Sequence, residues 1–279
     1  MQHYTIEGAN NSGNRQSVND KLQGNYENFY LGLENFKQQL IAQVEHNRSK
    51  SYYKFSDGEY FWLKNNQIGS VAPGKRDSFL KNRDLTPFKE GVVKNDYHMS
   101  QMLEEHFIWF REIFNKEPDF LVDYVYGLVA NKWFTSTFNG KLGLIGAKEK
   151  MDLIKDLCKH DAYKDYLKFD GFNDYISVKQ RGLCDSLEEA EEQLKDQLSK
   201  SSCSIFLVGI GHAQQALLHK LKEYKPAIYI SVGSGIDAYA GVQDNLRPYM
   251  FDWINFRIKD YDYNKVDIWR DRLLNVKLI

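Results

Sequence analysis

Apolar residues along this chain fall into two alternating rhythms, short unbroken runs and longer stretches with apolar positions three or four apart. Phe29, Leu33, Phe36, Leu40 and Val44 keep helical spacing and predict an amphipathic helix over 27–46. A β-prone run, 51–56, follows, and Asp57 sits where strand gives way to loop or helix. Residues 68–91 carry Gly69, Pro73, Gly74, Pro87 and Gly91 among several charges, which predicts a long loop over one face. Met99, Met102, Leu103, Phe107, Phe110 and Phe114 then predict an aromatic-rich helix over 96–115. The run FLVDYVYGLVAN, 120–131, reads as a buried strand, with a helix left open.

From residue 141 the alternation becomes regular. LGLIG (142–146) is a strand ending in glycine, and Met151, Ile154, Leu157 and Cys158 mark one face of the next helix. DYISVK (174–179), SIFLVGIG (204–211) and AIYISVG (227–233) are further strands. Between them run helices carrying Leu187, Ala190, Leu194 and Leu198, then Ala213, Ala216, Leu217 and Leu221. Strands alternating with helices predict an α/β fold, a single doubly wound, mainly parallel, Rossmann-like sheet with helices on both faces. Ligands bind such sheets at the strands' carboxyl ends, which directs attention to Asp57, Gly146, Lys179, Gly209 and Gly233. The Asn/Gly/Ser-rich start predicts a mobile arm over 1–25, ahead of an α/β domain spanning 26–247. Residues 248–279 mix aromatics and charges, an addition that caps the domain or forms an interface.

Composition removes several classes. The 279 residues are 42% hydrophobic and 27% charged, ordinary for a globular chain, and a net charge of −1 excludes a globally basic nucleic-acid binder. Cys158, Cys184 and Cys203 form no C-x-x-C pair, so neither a zinc knuckle nor a disulfide framework is indicated, and reduced thiols in the cytoplasm are expected. Residues 1–16 lack the apolar core of a signal peptide, and no apolar run approaches the ~20 residues that cross a bilayer. Any membrane association would then be peripheral. The 18 Tyr and 17 Phe serve core packing or a carbohydrate-contacting surface.

Candidate chemistry concentrates in SYYKFSDGE, 51–59. In an extended segment side chains at i and i+2 point the same way, so Asp57 and Glu59 would converge on one hard cation, Mg²⁺ or Mn²⁺. Gly58 between them leaves room for a ligand, and Lys54 at the same edge could neutralise phosphate; a solvated turn is the alternative. In VGIGHAQQALL, Gly209 and Gly211 would let backbone amides approach an anion, and His212 opens the following helix. No acid appears in the next strand before Asp237, which argues against a standard dinucleotide site. GSVAPGKR (69–76) has Arg76 where a phosphate-binding loop needs Ser or Thr, so it is a false match, although Lys75 and Arg76 could still contact phosphate. Gly233, Ser234, Gly235 and Asp237 form a polar turn that suits either close ligand approach or simple helix capping.

Taken together, these segments resemble the bacterial GT-D-fold glycosyltransferases over roughly residues 50–240. That family's R-F-G-D-G-E segment, which supplies a metal-binding D-x-E motif, is matched by Lys54-Phe55-Ser56-Asp57-Gly58-Glu59. FLVGIGHAQQALL and AIYISVGSGIDAYAG match two later blocks, the second through its Ile236-Asp237 pair. Lys54 stands for the usual arginine, Ser56 for glycine, and GIGHAQ for a G-P-T-A-like turn. The resemblance implies transfer of a hexose from a nucleoside diphosphate sugar, UDP-linked first, to a glycan or glycoprotein acceptor. Asp57 and Glu59 would hold Mn²⁺ or Mg²⁺, and Lys54, Gly58, Lys179, Arg181, Gly209, Gly211, Ser234 and Gly235 would contact donor. Asp237, then His212, are the candidate bases. A non-catalytic binding module of the same fold and an unrelated α/β enzyme such as a methyltransferase are the alternatives, and homo-oligomer formation is left open.

Overall fold

In the computed structural model, residues 26–65, 84–180, 183–242, 253, 256–263 and 266 are described. Their framework is one seven-stranded sheet: β1 (Lys50–Phe55), β2 (Tyr97–Ser100), β3 (Phe120–Leu121), β4 (Leu142–Ala147), β5 (Asp174–Val178), β6 (Ile205–Gly209) and β7 (Ile228–Ser231). The strand order is β3-β2-β1-β7-β6-β4-β5, and every pairing is parallel. All six residues of β4 and all four of β7 are buried. Strands covered on both faces need no polar alternation, and their sequences show none. At the exposed edge, the Gln197 amide donates to the Ser177 carbonyl (2.8 Å) and accepts from the Ser177 N–H (2.9 Å), blocking further strand addition there.

Right-handed crossovers divide the helices between the two faces. One face holds α1 (Tyr26–Glu45), then α5 (Val122–Ala130), α6 (Trp133–Thr137), α7 (Lys148–Leu157), α8 (Asp161–Leu167) and α12 (Gly235–Tyr239). The other holds α2 (Asp57–Asn65), α3 (Thr86–Val93), α4 (Glu104–Phe114), α9 (Leu187–Leu198) and a broken helix over 211–224. The broken helix alternates 3₁₀ turns, Gly211–Ala213 and Leu218–Lys220, with α10 (Gln214–Leu217) and α11 (Leu221–Tyr224). Phe36 of α1 meets Tyr52 of β1 edge to face at 5.7 Å, which ties the first helix to the middle of the sheet. The doubly wound α/β expectation is met, with a fully parallel sheet. Among the described residues no helix is long and apolar enough to cross a membrane.

Three expectations change. The loop predicted over 68–91 lies in part outside the described residues, and its end is helix α3, with Pro87 in the first turn where no backbone donor is needed. Gly91 is not a loop signal. A Cβ there would lie 2.8 Å from Ala216 Cα, so glycine is what lets α3 lie against α10. The helix predicted over 96–115 is the strand β2 followed by α4, and the apolar 120–131 run is a two-residue strand leading into α5. The 1–25 arm and the 69–76 segment with Lys75 and Arg76 lie outside the described residues. Of the C-terminal addition, Trp253 and Val266 are buried, the Arg257 Nε donates to the Gly241 carbonyl at 2.7 Å, and Phe256 packs on Tyr163 and Tyr166. That part of the segment caps the domain.

Candidate functional site

β1, β7 and β6 lie side by side in the middle of the sheet. After β1 the chain turns into α2 on one face, and after β7 into α12 on the other. Such a divergence opens a crevice at the carboxyl ends of the strands. Lys54 and Asp57–Glu59 reach it from β1, Gly233–Gly235 from β7, and Gly209–His212 from β6. The contacts are close. A Cβ on Gly233 would lie 3.2 Å from Lys54 Cε, one on Gly58 would lie 3.8 Å from His212 Cε1, and one on Gly209 would lie 3.1 Å from the Gly233 carbonyl. Gly211 and Gly233 have φ of 57° and 51°, a left-handed conformation that glycine adopts without penalty.

Glu59 is the hub. Its Oε2 accepts from the Ser56 N–H (3.0 Å), the Ser56 hydroxyl (2.6 Å) and the Lys54 ammonium (3.0 Å). Its Oε1 accepts from the Gln214 amide at 3.3 Å, and Gln214 in turn accepts from the Ser231 hydroxyl at 2.6 Å. Lys54, Ser56, Glu59, Gln214 and Ser231 are all buried, so one polar network joins β1, α2, α10 and β7. Burial alone would push the Glu59 carboxyl up, but the Lys54 ammonium, His212 and the donated hydrogen bonds hold it below its ordinary value. Burial likewise opposes the charge on Lys54, and Glu59 overrides it, raising the ammonium's pKa. Both groups stay ionised.

The helix begins at Asp57, not beyond the D-G-E triplet. Ser56 and Glu59 stand in Ser-x-x-Glu spacing, and Glu59 folds back onto the Ser56 N–H as in a capping box. Residues i and i+2 of a helix lie about 200° apart around its axis. The extended geometry that would aim Asp57 and Glu59 at one point is therefore absent. Asp57 stays partly exposed at the helix start, while Glu59 turns inward.

His212 lies flat on the Trp62 indole, ring centroids 4.5 Å apart and planes within 6°. The Gln215 amide nitrogen faces Nδ1 at 3.2 Å; with Nδ1 as acceptor, the ring proton is on Nε2. Burial pushes the imidazole down to about 4, with Lys54 adding to the shift and Glu59 opposing it. At neutral pH it is an uncharged donor.

The remaining expected residues separate. Ser234 and Gly235 follow Gly233 in the crevice turn. Asp237, in the first turn of α12, forms an ion pair with Lys150 of α7. Lys179 pairs with Glu189 at the end of edge strand β5, four strand spacings or roughly 19 Å from β1, and is not brought to Lys54. Arg181 lies outside the described residues. Gln214, Ser231, Trp62 and Lys150 were not legible as site residues, being ordinary strand and helix positions until the fold unites them.

Among the described residues no group of three or more His, Cys, Asp or Glu side chains forms a metal cage. Mg²⁺ and Mn²⁺ are commonly held by one or two carboxylates completed by substrate phosphates, and Asp57 fits that description. Glu59, with both oxygens engaged by protein donors, does not. No protein-family model matches the chain, and no curated protein matches its sequence.

Proposed function

We propose that this chain is a glycosyltransferase that moves a hexose from a nucleoside diphosphate sugar, UDP-linked first, to a glycan or glycoprotein acceptor. The observation that carries the reading is the convergence of Lys54, Asp57, Gly58, His212 and the two glycine turns at one crevice of a parallel sheet. The acceptor hydroxyl oxygen bonds to the anomeric carbon, the anomeric C–O bond breaks, and its electron pair leaves on the diphosphate. Groups that stabilise this growing negative charge accelerate the step. The Lys54 ammonium, the backbone amides near Gly209 and Gly211, and the His212 Nε2–H are the donors at hand. Asp57 would hold Mn²⁺ or Mg²⁺, which supplies Lewis-acid stabilisation of the diphosphate.

If configuration inverts, the acceptor proton needs a base. Asp237 takes that role, positioned by Lys150, because burial leaves His212 a weak base at neutral pH. Gly58 leaves room for the donor, whereas Gly233 lets the Lys54 side chain lie close and Gly235 packs against Val232 and Val129.

A non-catalytic binding module is the second reading, favoured by the protein donors that engage both oxygens of Glu59. UDP release from a panel of UDP-sugars, with and without mixed glycan acceptors, tests both. Acceptor-dependent release that disappears in Asp57→Asn, at an unchanged urea midpoint, supports transfer. Donor binding with no release across the panel would replace it with the binding module.

A further inference from the structure

Three aromatic side chains stand part-exposed beside the crevice: Tyr60 and Phe61 on α2, and Trp109 on α4. Tyr60 and Trp109 lie parallel, their centroids 4.7 Å apart and their planes 5° apart. Phe61 meets both at 5.5 Å, its plane turned by 68° from Tyr60 and 64° from Trp109. The three rings make a corner. It is held in place: the buried His106 stacks on Trp109 at 5.2 Å, the Tyr60 hydroxyl donates to Glu112 at 2.7 Å, and Lys64 pairs with the same carboxylate. Both helices have other anchors on the sheet. α2 is seated by the buried Trp62 and Leu63, and α4 by Phe110, which meets Phe55 of β1 at 5.6 Å. An apolar surface left open and rimmed by polar groups marks a binding site.

Position and chemistry narrow what the corner holds. Tyr60 and Phe61 follow the first residue of α2 by three and four positions, so they share its face and lead outward from the crevice mouth. α4 follows β2, which lies on one side of β1, while the turns at Gly209–Gly211 and Gly233 end β6 and β7 on the other. A donor with its diphosphate over those turns points its hexose towards β1 and its nucleobase away from the corner. The acceptor then approaches from the β2 side. One face of a pyranose ring presents carbon-bound hydrogens of partial positive charge, which suit the negative face of an aromatic ring. Its hydroxyls meet the rim, where Lys64 donates and Glu112 accepts. These two charges are paired with each other, so the rim suits a neutral, hydroxyl-rich partner better than an anion.

We propose that the corner of Tyr60, Phe61 and Trp109 is the subsite on which a sugar ring of the acceptor glycan stacks. The glycan's role as acceptor rests on the nucleotide-sugar reading; the stacking of a sugar ring does not. The test is saturation-transfer NMR with maltohexaose, cellohexaose and chitohexaose, extended to a printed array of neutral glycans. It compares wild type, Phe61→Ala, Phe61→Tyr and Trp109→Leu, with a UDP titration in Mn²⁺ and a urea midpoint for each. Wild type should bind at least one glycan. Phe61→Ala should weaken that binding by roughly tenfold, the upper end of what one aromatic contact contributes, at unchanged UDP affinity and midpoint. Phe61→Tyr keeps the ring and should keep the affinity. Trp109→Leu should act as Phe61→Ala does; if it lowers the midpoint, the two Phe61 variants decide.

Glycan binding that Phe61→Ala leaves intact, or wild type that binds UDP but no glycan, would overturn the subsite and leave the donor reading standing. Loss of UDP affinity in Phe61→Ala would also overturn it, by placing the nucleobase on the corner. Wild type that binds glycan through Phe61 but no UDP would keep the stacking site and replace the transferase with the binding module. Binding of neither would overturn both readings.

Discussion

The Lys54 ammonium lies 3.0 Å from the Glu59 carboxylate, with each side chain only 8% exposed. Both charges arise within one turn of sequence, at the end of β1 and the start of α2, and the pair sits under the crevice where three central strands end. Ions taken out of water this far are tolerated because every oxygen of Glu59 is hydrogen-bonded.

Breaking this pair from one side should therefore be severe. Lys54→Met leaves Glu59 buried with an unbalanced charge, and Glu59→Gln does the same to Lys54; each should lose about 3–5 kcal/mol in urea unfolding. The double variant Lys54→Met/Glu59→Met should be more stable than either single one. Singles that change stability by less than about 1 kcal/mol would mean the pair is solvated as surface pairs are.

Gly91 supplies a test of the fold independent of the site. Its missing side chain lets α3 rest on the backbone at Gln215 and Ala216, where an added Cβ would come within 2.8 Å of Ala216 Cα. Gly91→Ala should destabilise by about 1–3 kcal/mol, against the gain that alanine brings to an open helix. A stabilised variant would show that the two helices do not meet there.

His219 should impose a pH slope on stability. Burial, with Lys94, Lys220 and Lys222 beside it, pushes the imidazole down to about 4 from 6.5, and Glu191 opposes only in part. The folded chain thus binds fewer protons than the unfolded chain between pH 4 and 6.5. The contribution is fully present above 6.5 and is lost as pH falls towards 4, by at most about 3 kcal/mol. His212 is shifted the same way, so the comparison is wild type against His219→Phe, which should show a shallower fall over that window. Equal slopes would place His219 in water.

How much the sequence disclosed depended on whether each signal was local. α9 is plain from Leu187, Ala190, Leu194 and Leu198, because one face is apolar and the other charged. β4 and β6 are plain from short apolar runs bounded by glycine and polar residues. α5 is ambiguous for a physical reason: residues 122–129 are all buried, so no polar face reveals a helical period. β2 hides because Met99 continues the apolar spacing of α4 across the break.

The site divides in the same way. The Ser56-x-x-Glu59 capping signature is written within four residues and marks the helix start that redirects Glu59. The Gln214 contribution is not legible, since its partner Glu59 is 155 positions away. Lys179 looked equivalent to Lys54 as a lysine near a strand end; only the strand order, with β5 at the edge, separates them.

The central claim is that the crevice over β1, β7 and β6 binds a nucleoside diphosphate sugar. Its most direct test is calorimetric titration with UDP and a panel of UDP- and other nucleotide-sugars, in Mn²⁺ and then in EDTA, on wild type and Asp57→Asn. The account predicts saturable binding of one donor in Mn²⁺, weakened by EDTA and by Asp57→Asn. No heat of binding from any donor in Mn²⁺, with folded protein, would contradict it.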